Sequence, residues 1–455
     1  MTFKSRIYYR NTFLHIGHAQ TLFYNNDMAK GQCGVCYAIV DDRQNPMQSL
    51  NIEEDIEYLQ LNGIKIISVT EHSDPINLYT KELIKNNYVY INANSMIHGC
   101  EQKILDNPRF PFQIKLDYGN QPTIGYSKQI DSGKYIIIYI FDYIIKVLDE
   151  ILNISDVVTT SAQDIADSEI MGFFAKRRKI NYHFLEPYKI TGFRYTKNGW
   201  PELEEDDPRL LTIKGLKSRH IPPEIIYKFY EEATEQHKYS KRPIKITAFD
   251  NIIKNEFNLN SRRVIGVVYP LEVEITNIQD RYTEYALKPM HAFGAGGFNI
   301  VPLCNRIYID RNDFSLVECG GKLSKHQEIG LKYAGSIYCT DVEMDNKGRP
   351  TKLIAEYHQK YSKNQILWIS SNNKTIDLKP VNFVLFEWFY TGENVLKDPV
   401  SIKTGYIDEC VFDDLNQIYH IEKVGYFIYD RYYSERHQMP CFIKISSSKH
   451  YYGKK

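Results

Sequence analysis

Apolar runs and stretches of helical period alternate through the first 180 residues. Residues 6–9 are β-rich and 21–30 read as a helix. Residues 35–40 form an apolar run ending in Asp41-Asp42, the pattern of a buried strand. Ile52, Ile56 and Leu59 recur at helical spacing, and Gly63 is expected to stop that helix. Residues 64–69 are β-rich again. Ser73-Asp74-Pro75 predicts an N-cap with proline near the first turn, opening a helix through Leu83 and Ile84. Residues 135–139 predict a strand and 141–152 an apolar-faced helix. Such alternation favours a parallel sheet with helical crossovers.

The rhythm then changes. Residues 181–260 are mostly helical in pattern, with Pro222-Pro223 opening a segment whose Ile225, Ile226, Phe229 and Tyr230 share a face. After Arg262 short β-rich runs follow one another (264–268, 306–309, 336–342, 352–357, 366–369, 381–389, 426–429), separated by turns such as Asp345-Asn346-Lys347-Gly348. That texture predicts antiparallel barrels or sandwiches. Three regions result: 1–180, 181–260 and 261–455.

Composition narrows the class. The chain has 455 residues with 56 basic and 56 acidic side chains, and 13% aromatics, which excludes a disordered polymer. Its zero formal charge argues against non-specific coating of nucleic acid but leaves room for a local basic track. No apolar run reaches membrane-spanning length, and residues 1–6 lack the apolar stretch of a secretory signal, so no membrane partner is expected. Eight cysteines are sparse for this length and point to a reducing, cytoplasmic setting. Cys33-Gly34-Val35-Cys36 has no second pair at zinc-ligand spacing. Cys33, at a strand start, reads as a structural thiol, and no structural metal is expected.

The sharpest chemical signal is Leu14-His15-Ile16-Gly17-His18-Ala19, set between a strand and a helix. A helix start supplies free N–H groups and a positive dipole end for phosphate. Gly17 allows close approach of a nucleotide to the backbone. Two imidazoles can donate to oxygens as charge develops at phosphorus. Four residues alone also arise by chance.

The surrounding residues give the motif context. His15-Ile16-Gly17-His18 resembles the signature of class I aminoacyl-tRNA synthetases, and the rest of the chain resembles the glutaminyl branch. The matches include Lys30-Gly31-Gln32-Cys33, Asp41-Asp42 with Asn45-Pro46, and Gly199-Trp200 with Asp206-Asp207-Pro208-Arg209. Further along are Arg262-Arg263 through Val273, Ile309 through Phe314, and Val424-Gly425-Tyr426-Phe427. The resemblance implies an α/β Rossmann-like catalytic domain with a short acceptor-stem insertion at about 90–134, a helical stem-contact subdomain and two all-β anticodon-binding barrels. It implies activation of glutamine by ATP with Mg2+ and transfer to tRNA (tRNA-Gln), by a monomer. Carried over by position, His15, Gly17, His18 and Asn11 contact ATP, with His15 and His18 catalytic. Asp41 holds the ammonium group of the amino acid, and Phe141 and Gln163 line its pocket. Arg177 and Arg178, within Lys176–Lys179, together with Arg262 and Arg311, face tRNA.

Several positions depart from the family. Tyr8-Tyr9-Arg10-Asn11-Thr12 stands where the family has Pro-Glu-Pro-Asn-Gly. Ile39 replaces an arginine, and Phe141 replaces a tyrosine. The lysine-bearing second signature loop is not recognisable between His183 and Arg194, where Lys189 or Arg194 is the available cation and Lys189 is taken as catalytic beside His15 and His18. Two alternatives therefore stand beside the ligase reading: a catalytically silent tRNA-binding protein and, more weakly, a glutamyl-tRNA synthetase. Trp368 and Trp388 are expected in barrel cores.

Overall fold

The computed structural model describes residues 3–10, 13–92, 112–116, 123–130, 135–159, 180–191, 204–279, 284–371, 378–386 and 400–447. Strand β1 (Lys4–Arg10) leads through a 3-10 turn (Ile16–His18) into α1 (Ala19–Gly31). Next come β2 (Val35–Asp41), α2 (Met47–Tyr58), β3 (Ile64–Ser68) and α3 (Ser73–Lys85). Four strands follow, β4 (Val89–Asn92), β5 (Gln113–Leu116), β6 (Thr123–Gln129) and β7 (Tyr135–Tyr139), then α4 (Phe141–Ile151), β8 (Asp156–Thr159) and β9 (Asn181–Phe184).

The central sheet runs β3-β2-β1-β8-β9, with every neighbouring pair parallel. Both faces are covered. Ile7, Tyr9, Ala38 and Val40 pack on the α1 side, while Ile39 and Ile67 meet α3 and α4 on the other. This accounts for the continuous apolar run in β2, since a strand covered on both faces loses the polar alternation. The order reverses between β1 and β8, so the ligand crevice of such a sheet opens beyond the C-terminal ends of these strands.

Three local expectations are corrected. Gly63 does not end α2: the chain leaves the helix at Leu59 and turns through Gln60 in the left-handed region (φ 57). Gly63 is instead a close-approach residue, where an added Cβ would lie 3.0 Å from the Asn26 carbonyl oxygen. Ser73 is the first residue of α3 rather than its cap, which is His72. The strand 135–139 exists, but it pairs antiparallel with β6 in a separate four-stranded sheet, β4-β5-β6-β7, outside the parallel one.

The region after β9 packs three helices, α5 (Ile213–Ser218), α6 (Pro223–Tyr239) and α7 (Thr247–Asn260), against the α1 side of the sheet. Ile225, Ile226, Phe229 and Tyr230 of α6 are buried as their spacing predicts. The Phe229 and Phe249 rings meet edge to face at 5.2 Å between α6 and α7. Stacking of this kind adds about 0.5–1.5 kcal/mol to the burial itself.

The C-terminal half forms two seven-stranded sheets, each nearly closed into a barrel by the same device. In one, the edge strands are Arg262–Val264 and Gly266–Val267, consecutive pieces of one segment broken at Ile265. In the other, they are Gln365–Ile366 and Trp368–Ser371, broken at Leu367. A single strand that pairs with both ends of its sheet rolls the sheet up and leaves little unpaired edge. Trp368 is fully buried and donates its indole N–H to the Lys332 carbonyl (2.8 Å). Trp388 lies outside the described residues. A two-stranded ribbon, Glu284–Pro289 with Phe298–Leu303, leans on both barrels.

Candidate active site

His15 and His18 stand at the start of α1, beyond the end of β1. Each imidazole accepts a backbone N–H at Nδ1, from Gly17 to His15 at 3.0 Å and from His15 to His18 at 3.2 Å. The rings are tilted against each other with centroids 4.0 Å apart, and the edge of Tyr9 meets His18. Burial pushes His15 down to about 4. Burial together with the neighbouring His15 pushes His18 down to about 3. Both rings are therefore neutral near pH 7. A neutral imidazole that accepts at Nδ1 carries its proton on Nε2, so each presents one N–H donor.

The backbone around the pair is fastened from two directions. Ile16 N–H donates to the Leu211 carbonyl (3.0 Å) and Ile213 N–H to the Leu14 carbonyl (2.9 Å). Thr212, between these partners, caps α5 by accepting from Gly215 N–H. On the other side Gln20, buried in the first turn of α1, donates to the Glu186 carbonyl (2.8 Å) and accepts from Tyr188 N–H (3.4 Å). Gln20 thus clamps the stretch that carries Lys189. Lys189 is exposed, and its carbonyl accepts from Ile244 N–H.

Asp41 ends β2, one strand away, and is buried. Arg43 grips both of its oxygens, Nε to Oδ1 at 2.7 Å and Nη2 to Oδ2 at 2.9 Å, and spends its third nitrogen on the Tyr139 carbonyl at 2.6 Å. Arg10 approaches the same carboxylate to 3.8 Å while its guanidinium lies over the Phe141 ring. Phe141 is buried, with Tyr8 at its edge. Asp42 turns the other way. Burial alone would raise its pKa, but donors from Ser68, Thr70 and Ser49 outweigh that and hold it below the usual carboxylate range.

The structure thus brings His15, His18, Asp41 and Phe141 to one edge of the sheet. Arg262 and Arg311 lie in the barrels. Arg311 donates to the Pro350 carbonyl and stacks over Tyr269, whose ring Lys403 also approaches. Asn11, Gln163, Arg177, Arg178 and Arg194 lie outside the described residues. Cys33 sits not on the strand but in the turn before it, exposed and at φ 49, while Cys36 is the buried thiol. Sequence reasoning missed Gln20, Arg10 and Arg43. The available signals were a glutamine on the inner face of α1 and a basic residue directly after the paired aspartates.

Sheet order, imidazole pair and twin barrels together define a class I aminoacyl-tRNA synthetase architecture. Two family models match the chain: "tRNA synthetases class I (E and Q), catalytic domain" over residues 10–97 and "tRNA synthetases class I (E and Q), anti-codon binding domain" over residues 261–358. Both are models of one E and Q family, and the chain resembles its glutaminyl branch over nearly its whole length. It is similar to the glutamine–tRNA ligase of Lupinus luteus, 23% identical over 98% of this chain and 64% of the relative. It is likewise similar to that of Buchnera aphidicola, 23% identical over 93% of this chain and 90% of the relative. This chain therefore spans a little under two thirds of the lupin protein. A crystal structure of glutamate-tRNA synthetase from Elizabethkingia anophelis aligns at a TM-score of 0.41 and 12% identity, over 57% of this chain and 72% of that one.

Proposed function

We propose that this protein activates glutamine with ATP and Mg2+ and transfers it to tRNA. The observation that carries the reading is the pair of neutral imidazoles at the helix start. Two pre-placed N–H donors that need no reorganisation stabilise charge developing on phosphate oxygens. His15 and His18 are the catalytic donors, with Gly17 and Asn11 beside ATP. Lys189, on the stretch clamped by Gln20, is the cation available to the phosphates. Asp41, Phe141 and Gln163 form the amino-acid pocket. The names of the curated relatives favour glutamine over glutamate as substrate.

The tRNA partner is supported by the barrels, where half-buried aromatics and cations interleave. Tyr269 carries Arg311 and Lys403 at 5.2 and 5.4 Å, and Tyr308 lies against Tyr406 at 4.9 Å. Cation and ring together suit an RNA strand. Arg177 and Arg178 are proposed as further tRNA contacts on the strength of the basic run 176–179 alone. A cytoplasmic monomer accompanies this reading. Among the described residues no helix is long and apolar enough to cross a membrane.

Glutamine-dependent ATP–pyrophosphate exchange, run with and without tRNA, tests the reading. Exchange that requires glutamine and is lost in His18→Ala supports it. No exchange under either condition, beside retained tRNA binding, replaces it with the silent binder.

A further inference from the structure

The stretch that carries Lys189 is tied down more firmly by its backbone than by its side chains. Gln20 holds the Glu186 carbonyl at 2.8 Å, and Ile244 N–H holds that of Lys189 at 2.8 Å. Ile190 and Thr191 then pair with Ile244 and Lys245. The Glu186 carboxylate reaches toward the end of α6. One oxygen binds Lys241, and the other faces Nε2 of His237, in the last turn of that helix, at 3.7 Å. That separation is beyond hydrogen-bond reach.

His237 is the anomaly. Its side chain is only 12% exposed, and neither ring nitrogen has a hydrogen-bond partner among the described residues. Thr234, three residues earlier on the same face of α6, also has a buried hydroxyl without a partner among them. Buried polar groups of a native fold are ordinarily bonded, so an orphaned imidazole beside a carboxylate marks a contact left open. A shift of about 0.5–1 Å brings the Glu186 oxygen within range of His237 Nε2. The stretch has slack at a second point, where Tyr188 N–H meets Gln20 Oε1 at 3.4 Å. Lys189, three residues beyond Glu186, is exposed and makes no ion pair with a described residue, so its charge is free for an anion.

We propose that Glu186 is a positioning residue for Lys189: Lys241 and His237 hold its carboxylate from two sides, and the His237 contact closes when a nucleotide phosphate draws Lys189 in. The proposal rests on the reading of Lys189 as the cation for the phosphates. Closure fixes the ammonium group before charge develops on the phosphate, so its loss is felt in kcat more than in ATP KM.

The experiment uses the full chain as wild type, Glu186→Ala, Glu186→Gln, His237→Phe, Lys189→Ala and the Glu186→Ala/Lys189→Ala double variant. Two readouts are taken: glutamine-dependent ATP–pyrophosphate exchange, and amide hydrogen exchange across residues 186–191 with and without ATP. Glu186→Ala should lower kcat about tenfold, with ATP KM within about twofold. Its melting temperature should stay put, because exposed ion pairs add little to stability. Glu186→Gln keeps an acceptor and should retain at least about half the rate, while His237→Phe should lose about threefold. The double variant should be no slower than Lys189→Ala alone, since Glu186 acts only through Lys189. ATP should slow amide exchange across 186–191 in the wild type and not in Glu186→Ala or His237→Phe. Additive losses in the double variant overturn the proposal, as does ATP protection that is missing from the wild type or survives in Glu186→Ala. If the wild type exchanges no pyrophosphate, the ligase reading falls, and the ATP protection alone then decides whether Glu186 and His237 close on nucleotide.

Discussion

At the end of β1, two neutral imidazoles are arranged by backbone N–H groups. At the end of β2, Asp41 is gripped by Arg43 and approached by Arg10. On the proposed function the end of β1 is the nucleotide end, with donors that change nothing when substrate arrives, and the end of β2 is the amino-acid end. The amino-acid end holds a carboxylate whose oxygens already carry a bidentate cation. An incoming ammonium group has to share or displace Arg43. The difference shows that two motifs on adjacent strands, both readable by resemblance, differ in readiness. Backbone hydrogen bonds preset the first, whereas side chains of variable reach decide the second.

The largest expected effect breaks the nucleotide end. His18→Ala removes one preset donor and should lower the exchange rate by about 10²–10³-fold, with glutamine KM little changed. Steady-state exchange kinetics check this, and an equal rise in glutamine KM would count against the division of labour.

The next effect concerns the packing of α2 on α5, the helix whose start fastens the backbone of the imidazole pair. Asp55, buried on α2 facing α5, is pushed up to about 7, chiefly by burial, against the pull of Lys214 and Lys217. The folded state thus binds a proton that the unfolded chain releases near pH 4, and stability falls as pH rises from about 4 to 7. Asp55→Asn should add on the order of 1–3 kcal/mol at pH 8 and flatten that slope. Urea unfolding at pH 5 and 8 measures both.

A smaller change sharpens the comparison. Arg43→Ala removes the bidentate cation from Asp41, leaving Arg10 at 3.8 Å, and should lower glutamine KM about tenfold, or ~1.4 kcal/mol, while ATP KM stays within about twofold. A raised glutamine KM would mean that Arg43 holds Asp41 in its working orientation instead. The smallest effect is an absence. With His15 and His18 already neutral, the exchange rate should carry no imidazole titration between pH 6 and 8. In acid the unfolded rings take up protons near pH 6.5 while the folded ones resist to about 4 and 3, so stability falls as pH drops through that window.

Much of the sheet was legible because apolar runs and turn signals are local. Residues 35–40 lead into a buried strand, and the spacing of Ile225, Ile226, Phe229 and Tyr230 matches the buried face of α6. Long-range pairing was not legible. No periodicity shows that 135–139 joins an antiparallel sheet, or that one segment broken at Ile265 closes a barrel. Helix ends went astray where a non-glycine residue took the left-handed turn, as Gln60 does ahead of Gly63. In the candidate site, the motif and the resemblance single out His15, His18 and Asp41, and the structure sets them at the ends of neighbouring strands. Arg43 was not legible, because its role depends on a side chain folding back two residues onto Asp41 and reaching the Tyr139 carbonyl.

Charging of tRNA with radiolabelled glutamine tests the central claim most directly, since it needs the imidazole cleft, the amino-acid pocket and the barrels at once. The account predicts ATP-dependent glutaminyl-tRNA formation by the wild type and an initial rate about 10²–10³-fold lower in His18→Ala. Equal charging by the two proteins, or charging by neither in the presence of bound tRNA, contradicts it.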